Sequence, residues 1–115
     1  QACITVRKTL GNGFLEKVYE NALLIELKRL SLAVVSQKEL LVKYRDQNVG
    51  QYFADIVVND KIIIELKTVK RIESIHKMQV LNYLKATEFE LGILINFPND
   101  STGFEIERIP NFIEK

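Results

Sequence analysis

Apolar positions along this chain recur with two different periods, and the changes of period mark out its elements. Over residues 14–30 the spacing is helical, with Tyr19, Leu23, Leu27 and Leu30 on one stripe and Lys17, Asn21 and Lys28 opposite. Glu16 falls on that stripe and Glu26 near its edge, so the helix by itself singles out neither carboxylate. Upstream, residues 2–10 read as the end of another helix, broken by Gly11-Asn12-Gly13. The period then shortens to that of strands, which are predicted at 39–45, 51–58 and 61–67. Asp46-Gln47-Asn48 marks the first turn between them and Asn59-Asp60 the second. A helix over 72–87 follows, then an apolar run at 91–97 ended by Pro98-Asn99-Asp100, and a last strand at 104–109 stopped by Pro110. The order α-β-β-β-α-β-β predicts an α/β fold with helices packed on a central mixed sheet.

The second helix has two apolar sides. Ile72, Ile75, Tyr83 and Ala86 project together with Gln79 and are expected to face the sheet. Met78, Leu81 and Leu84 form a second stripe, which suggests a homodimer.

Into this pattern the chain inserts charge. Asp55 and the run Glu65-Leu66-Lys67 lie within stretches that otherwise read as apolar strands. Ionised groups are rarely placed so unless they are paired or hold a metal. Strand alternation sets Glu65 and Lys67 on one face with Leu66 turned away. Whether Asp55 joins them depends on the turn at 59–61. A two-residue loop pairs Val58 with Lys61 and separates the two carboxylates. A three-residue loop pairs Val58 with Ile62 and sets Asp55 across from Glu65. Directly opposed carboxylates destabilise a bare sheet, whereas a divalent cation or a nearby lysine turns the conflict into a site, so the three-residue register is expected.

Composition narrows the rest. The 115 residues suit one domain, over 1–115, with 47% apolar and 27% charged positions and a net charge of +1. So small an excess rules out a basic arm that holds nucleic acid by bulk charge. Lys67, Lys70, Arg71, Lys77 and Lys85 could still form a local basic surface, or simply a solvated helix face. The single Cys3 excludes an internal disulfide and a cysteine-rich zinc site, and fits a reducing compartment. No apolar run reaches the ~20 residues that span a bilayer. A cytoplasmic protein is expected, and, since Gln1 is not an initiator, one whose chain begins upstream.

Two hard carboxylates with a lysine on the same strand face have the residue types of a metal-dependent phosphodiesterase. In their context they resemble the PD-(D/E)xK nuclease superfamily, and more closely its small group named for a GxxExxR pattern. The stretches that carry the resemblance are Gly11 to Tyr19, Tyr52-Phe53-Ala54-Asp55, Ile64-Glu65-Leu66-Lys67, His76 to Leu84 and Leu91 to Phe97. Two departures stand out: Ala54 where the superfamily label has proline, and Tyr19 where the group label ends in arginine.

The resemblance implies a restriction-endonuclease-like core and a nuclease that uses Mg²⁺ (or Mn²⁺), with DNA favoured over RNA as substrate. Asp55 and Glu65 would bind the metal, joined by the backbone carbonyl of Leu66, with Glu16 as a candidate further ligand. Lys67 would serve the attacking water and Gln79 would support the site. Each has an alternative. Asp55, Glu65 and Lys67 could be an ion-paired cluster, Glu16 a helix-start carboxylate and Gln79 an amide bonded to backbone. His76 reads as a packed or exposed residue. The alternative for the whole chain is a catalytically inactive nucleic-acid- or protein-binding module that keeps the fold.

Overall fold

The computed structural model describes residues 1–111, so the last positions of the expected 1–115 domain lie outside the described residues. Two helices, α1 (Ala2–Leu10) and α2 (Glu16–Arg29), precede the strands β1 (Val34–Tyr44), β2 (Gln47–Val58) and β3 (Ile62–Lys67). Helix α3 (Ser74–Ala86) then crosses to β4 (Leu91–Asn96), and β5 (Glu105–Pro110) completes the sheet. The strands lie in the order β1-β2-β3-β4-β5, antiparallel except for the parallel β3–β4 pair that α3 connects. This is the mixed sheet flanked by helices that the alternation predicted.

The sheet separates two cores. On one face α1 and α2 bury Cys3, Val6, Tyr19, Leu23 and Leu27 against Ile56, Val58, Ile64, Leu66, Ile95 and Phe97. On the other, Val80 and Leu84 of α3 pack on Leu40, Ala54, Val57, Ile63 and Leu94. Helix α1 ends at Gly11, whose φ of 71° and ψ of −152° are open essentially to glycine, and whose N–H bonds the Arg7 carbonyl at 2.8 Å. Arg7 itself is buried with no carboxylate partner among the described residues. Its guanidinium donates to the carbonyls of Gly11, Pro98, Ser101 and Thr102 and to the Tyr19 hydroxyl, tying the α1–α2 corner to the loop after β4.

Several expectations need correction. Strand β1 begins at Val34, five residues before the predicted start, because polar Ser36-Gln37-Lys38 interrupts the alternation without ending the strand. The first turn falls on Arg45 and Asp46, both left-handed (φ 49° and 64°), which suits the twist of a two-residue hairpin. Leu30, expected on the α2 stripe, is the C-cap residue and 56% exposed. Helix α3 is turned about its axis relative to expectation. Its packing edge is Val80 and Leu84, leaving Ile75 66% exposed and Gln79 and Ala86 in solvent. Gly92 explains the choice: a Cβ there would lie 2.5 Å from Val80 Cγ1, so only glycine lets the helix sit this close to β4. Leu84 is therefore fully buried and cannot belong to an outward stripe with the exposed Met78.

The second hairpin follows the three-residue register. Asn59 and Asp60 are left-handed (φ 53° and 54°), the Lys61 N–H returns to the Val58 carbonyl at 3.0 Å, and Val58 pairs with Ile62.

Candidate active site

The β2–β3 ladder runs from Val58↔Ile62 to Ile56↔Ile64. At the next step stand Asp55 and Glu65, and there side chains take over from the backbone. The Leu66 N–H donates to Asp55 Oδ2 at 2.9 Å, and the Asp55 N–H donates to Glu65 Oε1 at 3.3 Å. Each carboxylate thus fills the place of a missing ladder bond. The two carboxyl groups stay adjacent because each accepts an amide of the opposing strand.

Beyond this step the hairpin of β1 and β2 exchanges its faces. Val34 packs with the α1–α2 core and Leu40 with the α3 core, although regular alternation would put both on one side. On β2 the same holds for Ile56 and Val58 against Tyr52 and Ala54. Pairing stays in step across the exchange, with Ser36↔Ile56 before it and Lys38↔Ala54 after it. Gln37, at the crossing position opposite Asp55, has a left-handed φ of 52°. The exchange brings Tyr52 to the Glu65 side, where its hydroxyl donates to Glu65 Oε1 and its ring stacks on Tyr83 with centroids 3.4 Å apart.

Helix α2 supplies acid from the other direction. Glu20 is buried at 2% exposure and accepts from Lys17 Nζ at 2.7 Å, from Ser36 Oγ at 3.4 Å and from Gln37 Nε2 at 3.1 Å. The same Gln37 amide reaches Asp55 Oδ1 at 3.3 Å. Glu16, one turn earlier on the same helix face, is half-buried and close enough to feel Asp55, Lys67 and Glu20.

The electrostatics follow from this crowding. Burial, and then the Asp55 charge, push the Glu65 carboxyl up to about 8, against the Tyr52 and Asp55 hydrogen bonds and the Lys67 ammonium. Asp55 is raised chiefly by burial and also by Glu20, while the Leu66 N–H and Gln37 hold it down. Glu16 is raised by burial and by Asp55, with Lys67 opposing. Burial and Glu65 also lift the Tyr52 hydroxyl far above its usual range, so it stays a donor. Acids held above their ordinary pKa around one point mark a place short of positive charge.

Beside Glu65 opens a cleft of about 130 Å³, lined by Tyr52, Glu65, Lys67, His76, Gln79, Val80 and Tyr83. The structure therefore brings Glu65, Lys67 and Gln79 together, with Asp55 hydrogen-bonded behind Glu65 and Glu16 within electrostatic reach. Gln79 is exposed on the cleft wall rather than buried against the sheet, so its amide is wetted and accessible. Leu66 turns its side chain into the α1–α2 core, as alternation required. His76 accepts the Glu73 N–H on Nδ1 at 2.9 Å and so caps α3.

Among the described residues no three acidic, imidazole or thiolate groups form a ready-made metal cage. The donor set nonetheless fits a hard cation that keeps much of its water. Two carboxylates are adjacent and, among the described residues, Glu65 Oε2 accepts no hydrogen bond.

Reasoning from the sequence missed Glu20, Gln37 and Tyr52. Glu20 carried a usable signal, since it lies four residues after Glu16. Tyr52 has the wrong parity for a regular strand, and Gln37 fell in a stretch that looked like loop.

The family described as the PD-(D/E)XK nuclease superfamily matches residues 1–109. No curated protein sequence matches. Among solved structures, the protein SSO0001 is similar at 23% identity and a TM-score of 0.60, covering 86% of this chain and 52% of its own. An alkaline exonuclease (LHK-Exo) from Laribacter hongkongensis is similar at 13% identity and a TM-score of 0.61, covering 84% of this chain and 56% of its own. At these identities the likeness shows the fold. The chain spans about half the length of each.

Proposed function

This chain belongs to the PD-(D/E)XK nuclease superfamily, and from that premise we propose that it hydrolyses nucleic-acid phosphodiester bonds with a bound divalent cation, Mg²⁺ or Mn²⁺. The observation that carries the proposal is the pairing of Asp55 and Glu65 at the end of a broken ladder, with Glu65 Oε2 open beside Lys67. A finer placement in the GxxExxR group rests on Gly13-Phe14-Leu15-Glu16 and on the retained motif order.

In this proposal Asp55 and Glu65 hold the cation, with the Leu66 carbonyl and Glu16 as additional oxygen donors. The cation, when bound, polarises the phosphate and acidifies its water. Glu65 must release its proton for the site to load, and its raised pKa puts that release near neutral pH. The Tyr52 hydroxyl fixes the Glu65 carboxylate so that one oxygen stays directed away from the ladder. Lys67, on the same face as Glu65 and without an ion-pair partner among the described residues, orients the attacking water and stabilises charge on the phosphate. The Gln79 amide, on the opposite wall, hydrogen-bonds the same water or a phosphate oxygen. DNA is the preferred substrate in this proposal.

Calorimetric titration with Mn²⁺ and Mg²⁺, followed by incubation with end-labelled single- and double-stranded DNA and RNA, tests the reading. Cleavage that requires metal and is lost in Glu65→Gln supports it. Nucleic-acid binding with no cleavage under any metal supports a non-catalytic module instead, and binding of neither metal nor nucleic acid overturns both. Dimerisation, if it occurs on α3, involves Met78 and Leu81 without Leu84, and sedimentation of a Met78→Lys variant tests it. No helix among the described residues is long and apolar enough to cross a membrane. Cytoplasmic residence is part of the proposal, supported by the one buried free cysteine.

A further inference from the structure

The geometry points to Gln37 as the residue that positions Asp55, acting as an amide bridge from the buried Glu20. Three observations converge on it. Its φ of 52° is left-handed, a conformation that costs a β-strand residue without compensation and that clusters at working sites. It stands opposite Asp55 in the ladder, where both strands exchange faces. Its single Nε2 donates to both Glu20 oxygens, at 3.1 and 3.2 Å, and to Asp55 Oδ1 at 3.3 Å.

The consequence is specific. Asp55 has two oxygens, one fixed by the Leu66 N–H and the other by Gln37. With both fixed, the carboxylate plane is set before any cation arrives. Glu20 is held in turn by Lys17 and Ser36, so the bridge is anchored to α2, outside the sheet. The left-handed turn is what aims the Gln37 side chain at this bridge. The paired strand changes faces at the same step and brings Tyr52 to Glu65, so both carboxylates are oriented at one position of the sheet. Outer partners of this kind set the orientation of a metal-binding group, and their loss typically lowers affinity about 10–100-fold.

Gln37→Gly separates this role from a purely structural one. Glycine adopts the left-handed conformation freely, so the hairpin keeps its shape while the amide is removed. Gln37→Asn also tolerates that backbone but is one methylene too short for the bridge. The probes are the hydrogen-exchange rate of the Leu66 amide in metal-free protein, Mn²⁺ affinity by calorimetry, and the melting temperature. Gln37→Gly is expected to melt near the wild-type temperature, because relief of the left-handed backbone offsets the lost bonds, and Gln37→Asn somewhat below it. Both are expected to exchange Leu66 at least tenfold faster and to bind Mn²⁺ about 10–100-fold more weakly. Unchanged Leu66 exchange in Gln37→Gly overturns the proposal, because Asp55 would then be held without the bridge. The Mn²⁺ arm alone rests on the nuclease reading. If the wild type binds no Mn²⁺, that reading fails, while the Leu66 exchange still decides the role of Gln37.

Discussion

Replacing Glu65 by glutamine keeps the shape of the side chain and removes its charge, and it should make the metal-free protein more stable at alkaline pH while abolishing metal binding. Glu65 is 9% exposed and titrates near 8 in the folded chain, against an ordinary value of 4.5. Between those values the folded state holds a proton that the unfolded state has released. Stability from this group is therefore complete below 4.5 and is lost as pH rises through 8. At 1.36 kcal/mol per decade the gap caps the effect at about 5 kcal/mol, and relaxation around the charge leaves a few kcal/mol as the working figure. For a chain of this size each 1 kcal/mol moves the melting temperature by about 4 °C, so metal-free wild type should melt roughly 10 °C lower at pH 8.5 than at pH 5.

The assay is a set of thermal melts from pH 5 to 9, with and without Mn²⁺, on wild type and Glu65→Gln. Asp55 and Glu16 are also raised and contribute a slope of the same sign to both proteins, so the difference between the two curves reports Glu65 together with its coupling to Asp55. Saturating Mn²⁺ should restore wild type most strongly at high pH, by about 2.7 kcal/mol at a hundredfold excess over Kd, and should leave the variant unmoved. Apparent affinity should fall about tenfold per pH unit below 8, because the ion must displace a proton. Parallel wild-type and variant curves across the whole range would refute the reasoning, since Glu65 would then be ionised at neutral pH like any surface glutamate.

Other substitutions probe the rest of the arrangement. Lys67→Met should lower metal-dependent cleavage at least ~100-fold while leaving Mn²⁺ affinity within a few-fold, in single-turnover assays; equal losses in both would make Lys67 a mere charge balance. Tyr52→Phe removes the hydroxyl that donates to Glu65 and should move the pH midpoint of Mn²⁺ binding upward, with about tenfold weaker binding at pH 7. Arg7→Met takes the donor from the carbonyls of Pro98, Ser101 and Thr102, while the Gly11 carbonyl keeps the Tyr19 hydroxyl, and urea unfolding should show a loss of about 3 kcal/mol. Gly92→Ala places a methyl 2.5 Å from Val80 Cγ1 and should cost ~1–3 kcal/mol in urea unfolding.

Much of this molecule follows from local pattern. The helical stripe Tyr19–Leu23–Leu27, the apolar strands and the turn residues at 59–60 each obey rules that act over a few residues, so the α/β order could be read directly. Side-chain period and loop length are both integers, so the turn at 59–61 left two registers; the three-residue one was expected from the charges it brings together, and Val58 does pair with Ile62. Charges in an apolar strand were visible because burial makes them costly.

What escaped is what depends on contacts between distant segments. The orientation of α3 was set by Gly92, on a strand after the helix, whose missing Cβ draws in Val80 and Leu84 and leaves Gln79 on the cleft wall. The face exchange at Gln37 contradicts the local preference of a glutamine, and only the bonds it gains to Glu20 and Asp55 from separate elements can offset that cost. The same exchange brings Tyr52, on the wrong face by alternation, to Glu65. The sequence alone thus determined which elements form and which two acids meet. Tertiary structure decided which polar groups hold those acids, because a left-handed strand residue and a close helix approach are stabilised by packing that no single segment contains.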